Sequence, residues 1–85
     1  MNQLDKAIIR IKLLPRDYTY SEAKALLLRL GFREYSKGKT SGSRVKFYRA
    51  SDDFAILLHK PHPGDQMSPG ATKALKEALE RKGDI

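Results

Sequence analysis

Between Arg44 and Ala50 the chain alternates strictly. Val45, Phe47 and Arg49 fall on one side of an extended backbone, and Arg44, Lys46 and Tyr48 on the other. That period of two fits a strand with one face sealed in a core and one face left to water, and it fits no helix. A lone strand or a two-stranded hairpin is at best marginal in water. The pattern therefore demands partner strands and a layer of apolar side chains from elsewhere in the chain.

The sequence supplies both. Phe32 to Ser36 reads as the start of a strand, and Lys37 to Ser43 as a loop. Ser51-Asp52-Asp53 is a turn leading into Phe54 to His59, a second apolar run of β type. Three strands joined by short connections make an antiparallel sheet. Leu4, Ala7, Ile8, Ile11 and Leu14 recur at helical spacing before Pro15 stops them. Thr19 with Glu22 has the pattern of a capping box, because each side chain can take a backbone N–H that the first helical turn leaves without a partner. Ala23, Leu26, Leu27 and Leu30 then form an apolar face that Gly31 ends. Pro61, Pro63 and Gly64 forbid regular structure, after which Ser68 and Pro69 open a last helix with Ala71, Ala74, Leu75, Ala78 and Leu79 as its stripe and Lys82-Gly83 as its end. The order α-α-β-β-β-α predicts an α+β fold, a three-stranded antiparallel sheet with helices on one face. One domain spans 1–85, with 1–18 as an N-terminal helical extension and 19–83 as the core.

Charge narrows the function. The 85 residues carry 17 basic against 10 acidic side chains, a net charge of +7. Arg33, Lys37, Lys39, Arg44, Lys46 and Arg49 crowd into one hairpin-sized segment that contains the single acid Glu34. Such clustering favours a polyanion, either a nucleic acid or an acidic protein surface. With no cysteine, disulfides, thiolate metal sites and a thiol nucleophile are all excluded, which fits a cytoplasmic chain. The apolar run Ala7 to Leu14 is interrupted by Arg10 and Lys12 and is too short to span a membrane, and it lacks the cleavage site of a signal peptide.

Gly38-Lys39-Thr40 suggests a phosphate loop but fails as one. The first glycine of that motif would fall at Arg33, and no helix follows Thr40. Lys37, Lys39 and Ser43 instead suit phosphate oxygens. Arg44, Lys46 and Tyr48 add cations that can track a backbone and a ring that can stack on a base. His59 and His62 are the only imidazoles and hence the acid–base candidates. Both histidines with Asp65 could donate to a metal, yet no further patterned ligand follows, so no metal and no small-molecule cofactor is expected.

Taken together, Gly31-Phe32, then Gly42-Ser43-Arg44 with Phe47, then His62-Pro63-Gly64 and Ser68-Pro69-Gly70 opening a helix, resemble the HicA family of toxins, small mRNA interferases of type II toxin–antitoxin pairs. The resemblance covers roughly 20–83. It implies a fold like a double-stranded-RNA-binding domain and metal-independent cleavage of mRNA, with growth arrest as the result. It also implies a HicB-like antitoxin, acidic or acid-patched, that covers the active face.

One position departs from the pattern: the family's catalytic histidine, in Gly-Ser-His, falls at Arg44. Cleavage of RNA by its own 2′-hydroxyl needs a base for that proton, an acid for the leaving oxygen and stabilisation of the charge on phosphorus. Arginine stays protonated, so Arg44 cannot be the base, although its guanidinium suits the phosphate. The base then falls to His59 or His62. His59 would end the strand beside that of Arg44 if those strands are neighbours. Without such a transfer the fold is a non-cleaving RNA-binding module, or a protein-interaction domain only.

Overall fold

A computed structural model describes residues 1–35 and 44–85. Its elements are α1 (Gln3–Lys12), α2 (Tyr20–Arg29), β1 (Arg33–Tyr35), β2 (Arg44–Arg49), β3 (Phe54–His59) and α3 (Pro69–Arg81). The strands form one antiparallel sheet in the order β1-β2-β3. The expected α+β architecture is present. Val45, Phe47, Ile56 and Leu58 turn inward and meet Ile11, Leu26, Leu27, Leu75 and Leu79 from the helices in one buried cluster.

Local chemistry sets the helix ends. Asn2 caps α1, its side chain accepting the Asp5 N–H at 2.7 Å. Thr19 and Glu22 form the reciprocal capping box at the start of α2, with N–H to oxygen distances of 3.1 and 3.0 Å. At its end Gly31 takes φ +96°, a conformation cheap only for glycine. The Phe32 N–H then reaches the Leu27 carbonyl at 2.9 Å and the Gly31 N–H that of Leu28 at 3.1 Å, a Schellman closure. The end of α3 repeats it: Gly83 has φ +79°, and the Asp84 N–H meets the Leu79 carbonyl at 2.9 Å. That closure carries the Asp84 carboxylate back to β2.

Three boundaries differ from the sequence reading. The first helix stops at Lys12, and Leu14 takes φ +48°, since a residue before proline is driven out of the helical region. The first strand, described over Arg33–Tyr35, begins after Phe32, and Ala50 leaves β2 for a 3-10 turn. Ala74, assigned to the buried stripe of the last helix, is exposed. Thr72 is buried instead, its hydroxyl donating to the Ser68 carbonyl at 3.1 Å.

Helix α1 is part of the packing. Ile11 is fully buried, and Arg10 bridges to Glu22 at 2.7 Å and Asp17 at 3.0 Å, tying α1 to α2 and to the connector between them. Among the described residues Arg49 is the one charged residue in the core. Its guanidinium lies 4.4 Å from the centre of the Phe32 ring and bonds Asp52, Asp84 and the Leu30 carbonyl. One cation of the basic hairpin segment is therefore neutralised inside the protein.

Candidate nucleic-acid interface

The outward face of the sheet collects the side chains that alternation turns away from the core. Three cross-strand rungs describe it. Arg33 stands opposite Tyr48, which faces Ala55; Tyr35 stands opposite Lys46, which faces Leu57; and Arg44 stands opposite His59. None of these outward positions carries a carboxylate. Glu34, the acid within the basic segment, stands opposite Phe47 on the inward side. There it accepts from Lys24 at 2.8 Å and from the Tyr20 hydroxyl at 3.1 Å. The Lys24 ammonium holds its carboxyl below the usual range. The strand positions left to solvent are thus cationic and aromatic, and the acid that meets them is Asp53 of the turn after β2, held on the Tyr48 hydroxyl.

Its rings are organised. Tyr35 and Tyr48 meet edge to face with centroids 6.2 Å apart, and the Lys46 ammonium lies 5.6 Å from the centre of the Tyr48 ring. The Tyr48 hydroxyl donates to Asp53 at 2.7 Å, which anchors the ring and raises the pKa of its phenol. Tyr35 is half exposed at 49%, and Leu57 is 64% exposed on the same rung.

Of the residues read from the sequence as functional, Arg44, Lys46, Tyr48 and His59 share this face. Directly opposed residues of an antiparallel pair have Cβ atoms about 4.5–5.5 Å apart, so the guanidinium of Arg44 and the imidazole of His59 project side by side. The His59 side chain is exposed. His62 lies beyond the end of β3 in the loop before Pro63 and is also exposed. That loop is fixed to the start of α2. The Asp65 carbonyl accepts the Tyr20 N–H at 2.7 Å, its carboxylate accepts the Ser21 N–H at 3.2 Å, and the Met67 N–H meets the Tyr18 carbonyl at 2.8 Å. Among the described residues no group of 3 or more His, Cys, Asp or Glu side chains could hold a metal ion, and no helix is long and apolar enough to cross a membrane. Lys37, Lys39 and Ser43, assigned to phosphate contacts, lie outside the described residues.

A family profile described as the HicA toxin of bacterial toxin-antitoxin matches residues 20–81. The chain belongs to the HicA toxin family. The match begins with α2, takes in the whole sheet and ends with α3, so α1 is the element outside it. Membership implies an antitoxin as partner. Neither a curated protein nor a solved structure matches.

The sequence reading counts Arg33 in the basic segment but assigns neither it nor Tyr35 nor Leu57 to the site. The signal for the first two was there, since Arg33 and Tyr35 sit two apart in Arg33-Glu34-Tyr35 and must share a face. Which face it was depended on the register with β2. Leu57 gave no signal, because in an apolar run such as Phe54–Leu58 an outward leucine reads like an inward one.

Proposed function

We propose that this HicA-family chain is a cytoplasmic endoribonuclease toxin that cleaves mRNA, arrests growth and is neutralised by a HicB-like antitoxin covering the outward sheet face. The observation that carries the reading is the rung on which Arg44 and His59 oppose each other. It pairs an always-charged anion holder with the one kind of side chain that gives and takes protons near neutral pH. Arg44 grips the scissile phosphate through paired N–H donors and offsets the charge that grows on its oxygens. His59 takes the 2′-hydroxyl proton as that oxygen bonds to phosphorus. The bond from phosphorus to the 5′-oxygen breaks, the 5′-oxygen takes a proton from solvent, and the products are a 2′,3′-cyclic phosphate and a 5′-hydroxyl. Lys46 and Tyr48 hold neighbouring nucleotides, together with Lys37, Lys39 and Ser43 of the preceding loop.

The test is incubation of the purified protein with a long RNA in EDTA, alongside expression in cells. Fragments ending in cyclic phosphate, lost in His59→Ala and retained in His62→Ala, are the expected result. A general base contributes about 10²–10⁴-fold, so His59→Ala should fall by that factor. His59→Ala at full activity removes the assigned base. Intact RNA at every protein concentration, with normal growth on expression, removes the enzyme.

A second reading has its own observation. Arg44 occupies the position at which the sequence resemblance expects the catalytic histidine. A chain that had lost its base would keep the basic face and bind RNA without cutting it. Salt-sensitive binding with no products under the same conditions identifies that case.

A further inference from the structure

The outward face contains more exposed apolar and aromatic surface than a phosphate clamp needs. Tyr35 is 49% exposed and Leu57 is 64% exposed, and both flank Lys46 on one rung. We propose that Tyr35 is a base-stacking platform and that this face takes single-stranded RNA with unpaired bases, not duplex; the inference rests on the RNA-directed reading above.

The argument starts from what each form of RNA offers. A duplex presents phosphates and sugars to a protein surface and keeps its base faces stacked on one another. Laid on this sheet, it would set phosphate oxygens against Leu57 and the Tyr35 ring, which cannot replace the water those oxygens lose. An unpaired strand presents base faces, and every base has a π surface that an aromatic ring can cover. The two tyrosines are not equivalent in this respect. Tyr48 is less exposed, tethered to Asp53 at 2.7 Å and approached by the Lys46 ammonium, so its ring is already engaged. Tyr35 leans on it edge to face and keeps half its surface open. Tyr48 therefore serves as the support, Tyr35 as the platform and Leu57 as apolar floor beside it. Arg33, Lys46 and Arg44 place positive charge on successive rungs around the rings, and no strand position of the face carries a carboxylate, Asp53 of the following turn being taken up by the Tyr48 hydroxyl, so the face suits a strand with phosphates on either side of a stacked base.

The experiment uses the full chain and a labelled oligoadenylate carrying 2′-O-methyl groups, which cannot be cut, so binding is read apart from cleavage. The same strand annealed to its complement is the duplex probe. Tyr35→Ala should weaken single-strand binding by about 5- to 150-fold, the loss expected for one base–aromatic stack. Its salt slope should stay that of the parent, because no charge is removed. Tyr35→Phe should bind like the parent, and Tyr35→Ala should not alter duplex binding. Circular dichroism confirms the fold of each variant. If the parent binds the single strand and Tyr35→Ala binds it equally well, the platform is wrong while the RNA-directed reading stands. Tighter binding of duplex than of single strand by the parent overturns the single-strand assignment. No binding of either probe at low salt, as for a face that meets only protein, overturns the RNA-directed reading and the platform with it.

Discussion

Replacing Arg49 by methionine should destabilise this protein more than any other single change to a charged residue among those described. The five N–H donors of an arginine are all used here. Nε and one Nη bond the Asp52 carboxylate at 2.8 and 2.7 Å, both Nη atoms bond Asp84 at 2.9 and 3.0 Å, and one also meets the Leu30 carbonyl at 3.1 Å. The side chain is 10% exposed, that of Asp84 17% and that of Asp52 31%. Methionine would fill much of the space above Phe32 while leaving Asp84 and the Leu30 carbonyl without their donor. Removing one partner of a buried ion pair costs about 3–5 kcal/mol, chiefly because the remaining charge is stranded. Asp52 keeps water and the Lys82 ammonium at 3.2 Å, which puts the expected loss at the low end, about 3 kcal/mol.

For a domain of this size each kcal/mol moves Tm by about 4–8 °C, so Arg49→Met should lower it by about 12–24 °C in a thermal melt followed by circular dichroism. Arg49→Lys should recover little, since an ammonium with three donors cannot span two carboxylates and a carbonyl. The cause can be separated from the contact. If stranded charge is the penalty, Arg49→Met with Asp84→Leu should be more stable than Arg49→Met alone, a coupling that a double-mutant cycle reads directly. A fall in Tm of less than about 4 °C in the single variant, or no recovery in the double, would refute this account of Arg49.

Two further stability predictions concern other elements. Ile11→Ala should cost about 2–5 kcal/mol in urea unfolding, because Ile11 is fully buried; a loss below about 1 kcal/mol would mean that α1 does not unfold with the rest. The carboxyls of Glu22, Glu34 and Asp52 titrate below their ordinary values of 4.5, 4.5 and 3.8, held down first by hydrogen bonds from Arg10, Lys24 and Arg49 respectively. Their stabilisation is fully present above those ordinary values and is lost as the pH falls through the folded ones. Tm should therefore drop steeply below about pH 4 and change little from these groups above about pH 5, and Glu22→Gln should melt lower at neutral pH but lose less on acidification. An acid limb as steep in Glu22→Gln as in the parent would exclude Glu22 as a contributor.

The parts legible in the sequence were those whose physics is local. The Thr19–Glu22 box, the Gly31 and Gly83 stops and the alternation of Arg44 to Arg49 each depend on residues within a turn of one another, and all stand in the structure. The alternation also put Arg49 on the core side, but nothing nearby could reveal that Asp84, 35 positions on, would neutralise it. The candidate site divides the same way. Arg44, Lys46 and Tyr48 share a face by period alone, whereas the membership of Tyr35, Leu57 and His59 depends on register. Register is set by hairpin geometry and by which faces are buried, and here one of the two hairpin loops carried no turn signature that could fix it.

Register also bears on what the arginine at position 44 means. In the proposed mechanism the family histidine has been exchanged for a group that cannot take a proton, which by itself argues for a fold that only binds. But the residue opposite on the rung is an imidazole, about 4.5–5.5 Å away at Cβ. A guanidinium reaches farther from its backbone than an imidazole does. A phosphate held at the tip of Arg44 would therefore stand above the sheet near the shorter His59 side chain, with its flanking 2′-hydroxyl within reach of the ring. Under the proposed mechanism the proton acceptor is displaced by one strand and stays within the site, the anion holder takes the position of the family histidine, and neither role requires a new element of the fold. A binding-only chain has no need of that arrangement. It would use any cation opposite Arg44 equally well, and a second lysine or arginine there would hold RNA more tightly than a histidine. The presence of His59 at that rung is for this reason the strongest single argument that the proposed site cuts as well as binds.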